Sequence, residues 1–475
     1  MLNLSVAYYI SEWVIRVVML VVIVRQRRSP AGALSWLMVI FFLPWAGLVA
    51  YWLIGRHRLP RKRMEQHGRM LRHLDGLGSR LGDHPQTTHP AVDASVLPAV
   101  HLAERLGHMP ILGGNATEMI TSTPEFAERL VAEIDAAERH VHLIYYIYAD
   151  DDTGRQIAEA AIRAARRGVS CRLLADAVGS WGFFGGLGRQ MAEAGVDVRP
   201  AMPVGLFRRQ FARLDLRNHR KLAVIDGKVG YTGSHNAVDA SYGRKDMAWH
   251  DLTVRLAGPI VTELQAIFAA DWYFETDQRL TGEDVFPPVE PAGEVAVQAL
   301  PSGPNYPTEN YQRLLVAALH AAERRVIMTT PYFIPDESFL RAIQSAALRE
   351  VDVTLLLPEV NNKVVVGAAS HAYFVDLLEA GVRVRLYRPG LLHAKTMSVD
   401  DEIAFIGTSN FDIRSFSLDF EINLLLYGPA VVGQLRHRQA QYIAESEEVD
   451  LAAWRRRPAI RQFGSGVAKL LSPLL

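Results

Sequence analysis

What this chain lacks narrows it first. It holds one cysteine, Cys171, so neither an intramolecular disulfide nor a cysteine-rich zinc site can form. Cys171 lies in an alternating apolar run, the setting of a small buried side chain, and no oxidising compartment is needed for the chain to fold. Net charge is also missing: Lys+Arg and Asp+Glu number 51 each, which removes the global basicity expected of a nucleic-acid binder. The first apolar run has no basic stretch before it and no small-residue cleavage site after it, so a signal peptide is the weaker reading of the N-terminus. What remains is ordinary globular composition, 475 residues with 49% hydrophobic, enough for two or three domains.

Long apolar runs are present only near the start. Ala33 to Ile54 is 22 residues without a charge, long enough to cross a hydrocarbon core of ~30 Å, and is expected to be a transmembrane helix bent at Pro44. Leu4 to Val24 is similar in length but contains Glu12 and Arg16, which are four apart and able to pair on one helix face, with Arg16 free to snorkel. Arg25, Arg27 and Arg28 connect the two runs, and Arg56, Arg58, Arg61, Lys62 and Arg63 follow the second. That distribution favours a membrane-embedded helical hairpin over 1–63 whose ends, and the body beyond, are cytoplasmic. Residues 64–96 are polar and read as a linker, partly helical near 70–81.

Beyond the linker the chain repeats itself. Glu138-Arg139-His140-Val141 and the strand that follows match Glu323-Arg324-Arg325-Val326 and its strand. The helix 153–167 and strand 169–174 match helix 337–349 and strand 351–357, and Glu193-Ala194-Gly195-Val196 matches Glu379-Ala380-Gly381-Val382. The alternation predicts an α/β fold: two sandwich halves, 97–287 and 288–475, each with a mixed sheet, packed about a pseudo-twofold axis. From the repeated glutamate to the next marked histidine is 26 residues in the first half and 14 in the second. The extra stretch holds Arg208, Arg209 and Arg213, with Arg217 and Arg220 close behind, and is either a solvated basic loop or an electropositive lip for anionic head groups. Gly179-Ser180-Trp181-Gly182-Phe183-Phe184-Gly185-Gly186 is either a bilayer-touching loop or an internally packed one.

Those marked histidines begin the motif around which the chain is organised. His219, Lys221 and Asp226 have the spacing H-x-K-x4-D, and His393, Lys395 and Asp400 repeat it. In each copy a hydroxyl residue follows 15 positions after the histidine and an asparagine 17 after: Ser234 and Asn236, then Thr408 and Asn410. Two positions apart on an extended strand, each histidine and its lysine emerge on one face. If the halves meet face to face, two imidazoles, two ammonium groups, two amides and two hydroxyls converge on a space that suits a phosphodiester. One imidazole would attack phosphorus, the other would protonate the departing oxygen, and the lysines and amides would hold the non-bridging oxygens. Neither a metal nor another cofactor is required, and lysines so placed would repel a cation.

Asp226 and Asp400 fall an odd number of positions from their histidines and so point to the opposite face, where bracing a turn or neighbouring backbone is their expected role. Better supporting carboxylates for the imidazoles are Asp251, 32 residues beyond His219, and Glu421, 28 beyond His393, each counted with the histidine of its own half. A carboxylate accepting the Nδ1 proton would fix the tautomer and leave Nε2 free.

The doubled H-x-K-x4-D with its following G-[ST]-x-N resembles the phospholipase D superfamily, from about Val96 to the end of the chain. More narrowly, Arg28-Ser29-Pro30-Ala31, Thr329 to Pro335, Gly390 to Lys395, Asn410 to Ser415 and the terminal Leu471-Ser472-Pro473-Leu474-Leu475 resemble bacterial cardiolipin synthases of the two-helix, membrane-anchored type. That resemblance implies the phospholipase D-type fold in both halves and a place in the bacterial inner membrane. The implied reaction is phosphatidyl transfer between two phosphatidylglycerol molecules, giving cardiolipin and glycerol. It further implies His219 as nucleophile and His393 as general acid and base, although the two motifs are nearly equivalent and the roles could be exchanged. Lys221, Lys395, Asn236 and Asn410 would bind phosphate oxygens, with Ser234 and Thr408 assisting; Thr408 replaces the commoner serine. Rival readings are a phospholipase D, a phosphatidylserine synthase, a membrane-tethered nuclease or a non-catalytic scaffold; the balanced charge argues against nucleic acid.

Overall fold

A computed structural model describes residues 4–26, 30–55, 63–72, 85–204, 215–304, 306 and 309–470. Its centre is one continuous fifteen-stranded sheet built from two copies of the same strand order. Outward from the seam, the first copy runs Leu112–Ile120, Thr253–Ala257, Val229–Gly233, Leu222–Ile225, His140–Tyr145, Ser170–Asp176, Asp197–Ala201. The second runs Val295–Ser302, Glu421–Tyr427, Ile403–Gly407, Thr396–Val399, Arg325–Thr329, Asp352–Pro358, Arg383–Tyr387, and adds Ser446–Glu448 at its edge. The expected duplicated α/β fold is therefore present, and antiparallel pairing of Leu112–Ile120 with Val295–Ser302 fuses the two sheets into one.

In each copy the last three of the seven shared strands are parallel and the rest, with the added Ser446–Glu448, antiparallel. The parallel strands require crossover helices, and the sequence starts them with side-chain caps. Asp151 accepts the Gly154 amide at 3.0 Å ahead of helix Asp152–Arg166, and Asp336 accepts the Phe339 amide at 3.0 Å ahead of helix Glu337–Leu348. These helices cover one face of the sheet as two separate apolar clusters. The other face is covered across the seam by helices Ile260–Thr276 and Pro429–Ala444, whose cluster draws on both copies.

Three expectations need correction. The run from Ala33 to Ile54 is not one bent span but two helices, Pro30–Phe42 and Pro44–Ile54, and it reverses at Leu43: the rings of Trp36 and Tyr51, fifteen residues apart, lie 5.2 Å from each other. Pro44 breaks the hydrogen-bond ladder, and Gly47 permits the fold-back, because a Cβ there would come within 2.9 Å of Ile40 Cα. Among the described residues one helix, Leu4–Val24, is long and apolar enough to cross a membrane, and Gly32–Phe42 is apolar but shorter. Arg16 does pair with Glu12 at 3.3 Å, and its Nε donates to the Phe41 carbonyl at 3.0 Å, tying the first helix to the second.

The linker is not a free tether either. Residues 63–72 are helical and dock on the body: Arg63 pairs with Glu275 at 2.7 Å, Gln66 donates to Asp277 at 2.8 Å, and buried His67 packs its ring among Phe274, Tyr306 and Phe420. The remainder of the expected 70–81 helix, 73–81, lies outside the described residues. Finally, helix Leu97–Gly107, counted with the first half, packs its Val100 and Ala103 into the apolar cluster of the second. Cys171 is buried, as its surroundings imply.

Candidate active site

In each copy the motif histidine stands just before the strand that leads away from the C-terminal ends of the parallel strands. Leu222 pairs with Ile144, and Thr396 with Thr329, so each motif opens at the C-terminal edge of its own copy's parallel strands. This is the edge at which open α/β sheets bind ligands.

The imidazoles are held by the opposite copies. The His219 backbone N–H donates to the Phe420 carbonyl at 2.9 Å, and His219 Nδ1 lies 2.9 and 3.0 Å from the two oxygens of Glu421. The His393 backbone N–H donates to the His250 carbonyl at 2.8 Å, and His393 Nδ1 lies 2.6 Å from Asp251. Short bridges Asn218–Phe420 and Leu391–Leu392 with Trp249–His250 continue the same exchange. Asp251 and Glu421 are therefore imidazole partners, but crossed with respect to the pairing counted along the chain: each serves the histidine of the other half. Their unequal offsets conceal a strict equivalence in the sheet, where Gly233 is opposite Thr253 and Gly407 opposite Asn423, which places Asp251 and Glu421 in register.

That register also explains the glycines and hydroxyls. A Cβ at Gly233, with φ +154°, or at Gly407 would strike the backbone of the strand carrying the carboxylate. Ser234 exchanges hydrogen bonds with the Leu252 backbone, accepting its N–H at 2.8 Å. Thr408 accepts the Ile422 N–H at 2.9 Å and donates to Glu421 at 2.5 Å. Both hydroxyls are thus engaged in fixing the carboxylate strands. Asn236 accepts the Ile147 N–H at 3.0 Å, while the buried Asn410 Oδ1 has no hydrogen-bond partner among the described residues.

Lys221 and Lys395 each donate to the carbonyl of their own histidine at 2.6 Å and are buried. Each lysine acts electrostatically on both histidines and on both carboxylates, so the doubled motif meets in one site. Burial pulls Lys221 down to about 8 and Lys395 well below its ordinary value. Burial, then the two lysines, keep His219 well below the usual imidazole range and bring His393 to about 3. Two lysines crowded beside two imidazoles in a buried site make an arrangement suited to an anion. The carboxylates differ: burial pushes Glu421 up to about 7, whereas for Asp251 burial is outweighed by the His393 imidazole and its acidity is increased.

Asp226 and Asp400 do not enter the site. They end the strands at the opposite edge in left-handed turns, with φ 53° and 48°. Asp226 accepts the amides of Glu138, Arg139 and His140 at 2.9, 2.8 and 2.8 Å, and Asp400 those of Glu323, Arg324 and Arg325 at 2.9, 2.8 and 2.7 Å. That is the bracing geometry their odd spacing implies. Arg217 and Arg220 also leave the imagined lip: Arg217 is buried against Asp176 at 3.3 Å, and Arg220 is buried with Asp271 and donates to the Glu421 carbonyl at 2.9 Å. Arg208, Arg209 and Arg213 lie outside the described residues.

Several neighbours carry no motif signal. Tyr146 sets its ring 4.8 Å from that of His219, and Trp249 stands 4.4 Å from that of His393. Lys363 and Arg414 add positive charge toward His219. Only Trp249, two residues before Asp251, and Arg414, in the Asn410 to Ser415 segment, had a sequence cue.

The family model described as "Cardiolipin synthase, PLD-like domain" matches residues 130–272 and 315–442, one segment around each motif. A second, "Phospholipase_D-nuclease N-terminal", matches 14–56. Cardiolipin synthase A of Yersinia pseudotuberculosis serotype IB is 36% identical over 461 residues, 95% of both chains, and that of Yersinia pestis bv. Antiqua is equally similar. Among solved structures, a phosphatidylserine synthase of Haemophilus influenzae superposes with a TM-score of 0.59 at 15% identity, covering 79% of this chain and 97% of the other, a likeness of fold alone.

Proposed function

Since this chain belongs to the cardiolipin synthase family with phospholipase D-like domains, we propose that it transfers a phosphatidyl group from one phosphatidylglycerol to a second, releasing glycerol and forming cardiolipin. The observation that carries this reading is the single buried site in which two imidazoles, each backed by a carboxylate from the other half, face two lysines. In the first displacement His219 Nε2 attacks phosphorus. The N–P bond forms, the bond from phosphorus to the glycerol head group breaks, and the proton on His393 Nε2 passes to the departing oxygen. In the second, the hydroxyl of another phosphatidylglycerol gives its proton to His393 as its oxygen bonds to phosphorus and the N–P bond breaks.

Two features favour His219 as the nucleophile. Its side chain is more open than that of His393, 12% against 4% exposed. His393 also has the more strongly ionised partner, suited to stabilising the imidazolium that an acid and base must become. Lys221, Lys395, Asn236 and Asn410 would hold the non-bridging oxygens, and Ser234 and Thr408 would serve through the carboxylate strands. The charge of the arriving diester offsets the lysines and lets one imidazole carry its proton.

We further propose that the protein resides in the bacterial inner membrane, with helix Leu4–Val24 crossing it and the folded-back pair entering from one side. Arg25, Arg27, Arg28, Arg56, Arg58, Arg61 and Lys62 would then share that side, which the positive-inside bias makes cytoplasmic, together with the body. The reaction is tested by incubating purified protein with vesicles of phosphatidylglycerol and identifying products by mass spectrometry. Cardiolipin with stoichiometric glycerol is expected. Phosphatidic acid as the main product would replace transfer by hydrolysis.

A further inference from the structure

Away from the N-terminal helices, large exposed apolar side chains are few among the described residues, and most gather beyond the C-terminal ends of the parallel strands, where the histidines stand. Each copy leaves its second parallel strand there, by an equivalent connection. In the first copy the strand Ser170–Asp176 gives way to a turn and the short helix Trp181–Gly185. Phe183 is buried against Tyr148, but Trp181 points outward with 76% of its surface exposed, so the aromatic stretch is packed at one residue and bare at another. The turn belongs to the site wall: Asp176 accepts the Asn218 amide, and a Cβ at Gly179 would strike the Tyr146 carbonyl.

In the second copy Asp352–Pro358 gives way to Val360 and helix Val364–His371, where Val364 is 82% exposed and Val365 is exposed as well. Lys363, whose charge reaches His219, begins that helix and lies over the Tyr332 ring. Against the same helix packs Ala459–Leu470, which seats Ala468 beside Val366 and Ala369 and turns Ile460, Phe463, Val467 and Leu470 outward along one face. Phe463 is 70% exposed. Arg456 and Arg461 stand exposed at the start of that stripe, and Arg455 beside them is paired with Glu379.

We propose that this rim, with Trp181 on one side of the site and Val364 with the Ile460–Phe463–Val467 stripe on the other, seats in an anionic lipid bilayer and brings the mouth of the site to head-group depth. The proposal rests on the phosphatidyl-transfer reading for its substrate, but its geometry is independent of the chemistry. A bilayer is the occupant that fits. Apolar side chains flanked by arginines suit the acyl boundary below anionic head groups, and helix Leu4–Val24 supplies a membrane to the same chain. Both apolar tips follow the C-terminal ends of parallel strands, the ends at which each copy carries its histidine. Leu348, 72% exposed, marks the other end, because its helix runs back from the site edge to the start of Asp352–Pro358.

The single cysteine makes the test clean. In a Cys171→Ala background, Trp181→Cys, Val364→Cys, Phe463→Cys and Leu348→Cys are labelled with nitrobenzoxadiazole, and the full chain is reconstituted in phosphatidylglycerol vesicles. Brominated acyl chains are expected to quench the first three labels severalfold more than the label at 348. Equal quenching at all four overturns the proposal, as does shielding of the three in detergent that grows with protein concentration, the signature of a second copy. Separately, Val364→Glu/Phe463→Glu is expected to lower turnover of vesicle phosphatidylglycerol by about tenfold while keeping turnover of monomeric short-chain phosphatidylglycerol within about twofold. Loss of both, or of neither, overturns it. If the unsubstituted protein turns over neither substrate, the transfer reading fails and the quenching experiment still decides the docking.

Discussion

The two motif copies are alike in backbone and unlike in charge. Both histidines receive a carbonyl and a carboxylate from the other half, in the same register. Yet His219 faces a glutamate that also accepts a threonine hydroxyl and is pushed up to about 7, whereas His393 faces an aspartate at 2.6 Å whose acidity is increased. On a shared scaffold, burial raises the glutamate while the His393 imidazole holds the aspartate down. The difference teaches how a near-symmetric site can give its two imidazoles different duties without any change of strand geometry.

The sharpest way to break this comparison is to remove each ring. His219→Ala and His393→Ala are each expected to lower transfer by roughly 10³-fold or more, with the folded protein retained in the membrane. Only His219→Ala should abolish covalent labelling by radiolabelled phosphatidylglycerol trapped by rapid alkaline denaturation. Labelling that survives in His219→Ala and vanishes in His393→Ala would exchange the two roles.

Substitution of the carboxylates sharpens it. Asp251→Asn is expected to cost roughly 10²-fold in turnover and Glu421→Gln about tenfold, since only the first removes a full charge at neutral pH. Burial raises Glu421, so its ionised form is lost as pH falls through about 7 and the His219 Nδ1 proton then faces a neutral carboxyl in place of a charged acceptor. The wild-type rate should therefore decline on the acid side near pH 7, and Glu421→Gln should flatten that limb. Equal costs with an unmoved limb would show that the asymmetry has no kinetic meaning.

The smallest effect on turnover is expected at the residues the two copies share most closely. Asp226→Ala or Asp400→Ala strands three backbone amides and should reduce unfolding free energy by roughly 3 kcal/mol, read by chemical denaturation of the body. Turnover per folded molecule should change less than twofold. A large loss of turnover in soundly folded protein would return these aspartates to the chemistry.

Much of the site was legible because it depends on short-range periodicity. Histidine and lysine two apart share a face of any extended segment, and an aspartate an odd step away does not. The crossing of Asp251 and Glu421 was not legible, because counting along the chain presumes that a residue serves its own half. Only pairing across the seam reveals the exchange. The reversal at Leu43 was half visible: Pro44 announces a break, but the angle comes from Trp36 meeting Tyr51 and from the missing side chain at Gly47. The linker misled for a different reason. Arg63, Gln66 and His67 are polar enough to suggest a solvated tether, and their burial depends on Glu275, Asp277 and three aromatic rings some two hundred to three hundred and fifty residues away.

The exchanged carboxylates bear on how such a catalyst can exist at all. A lone half would present an imidazole with no acid to lean on and an acid with no imidazole to serve, so two copies are the smallest unit in which all four groups find partners. Covalent linkage turns that requirement of stoichiometry into a property of one polypeptide, indifferent to dilution. It also frees the copies from having to match, and Thr408 beside Ser234, or Glu421 beside Asp251, is what that freedom looks like.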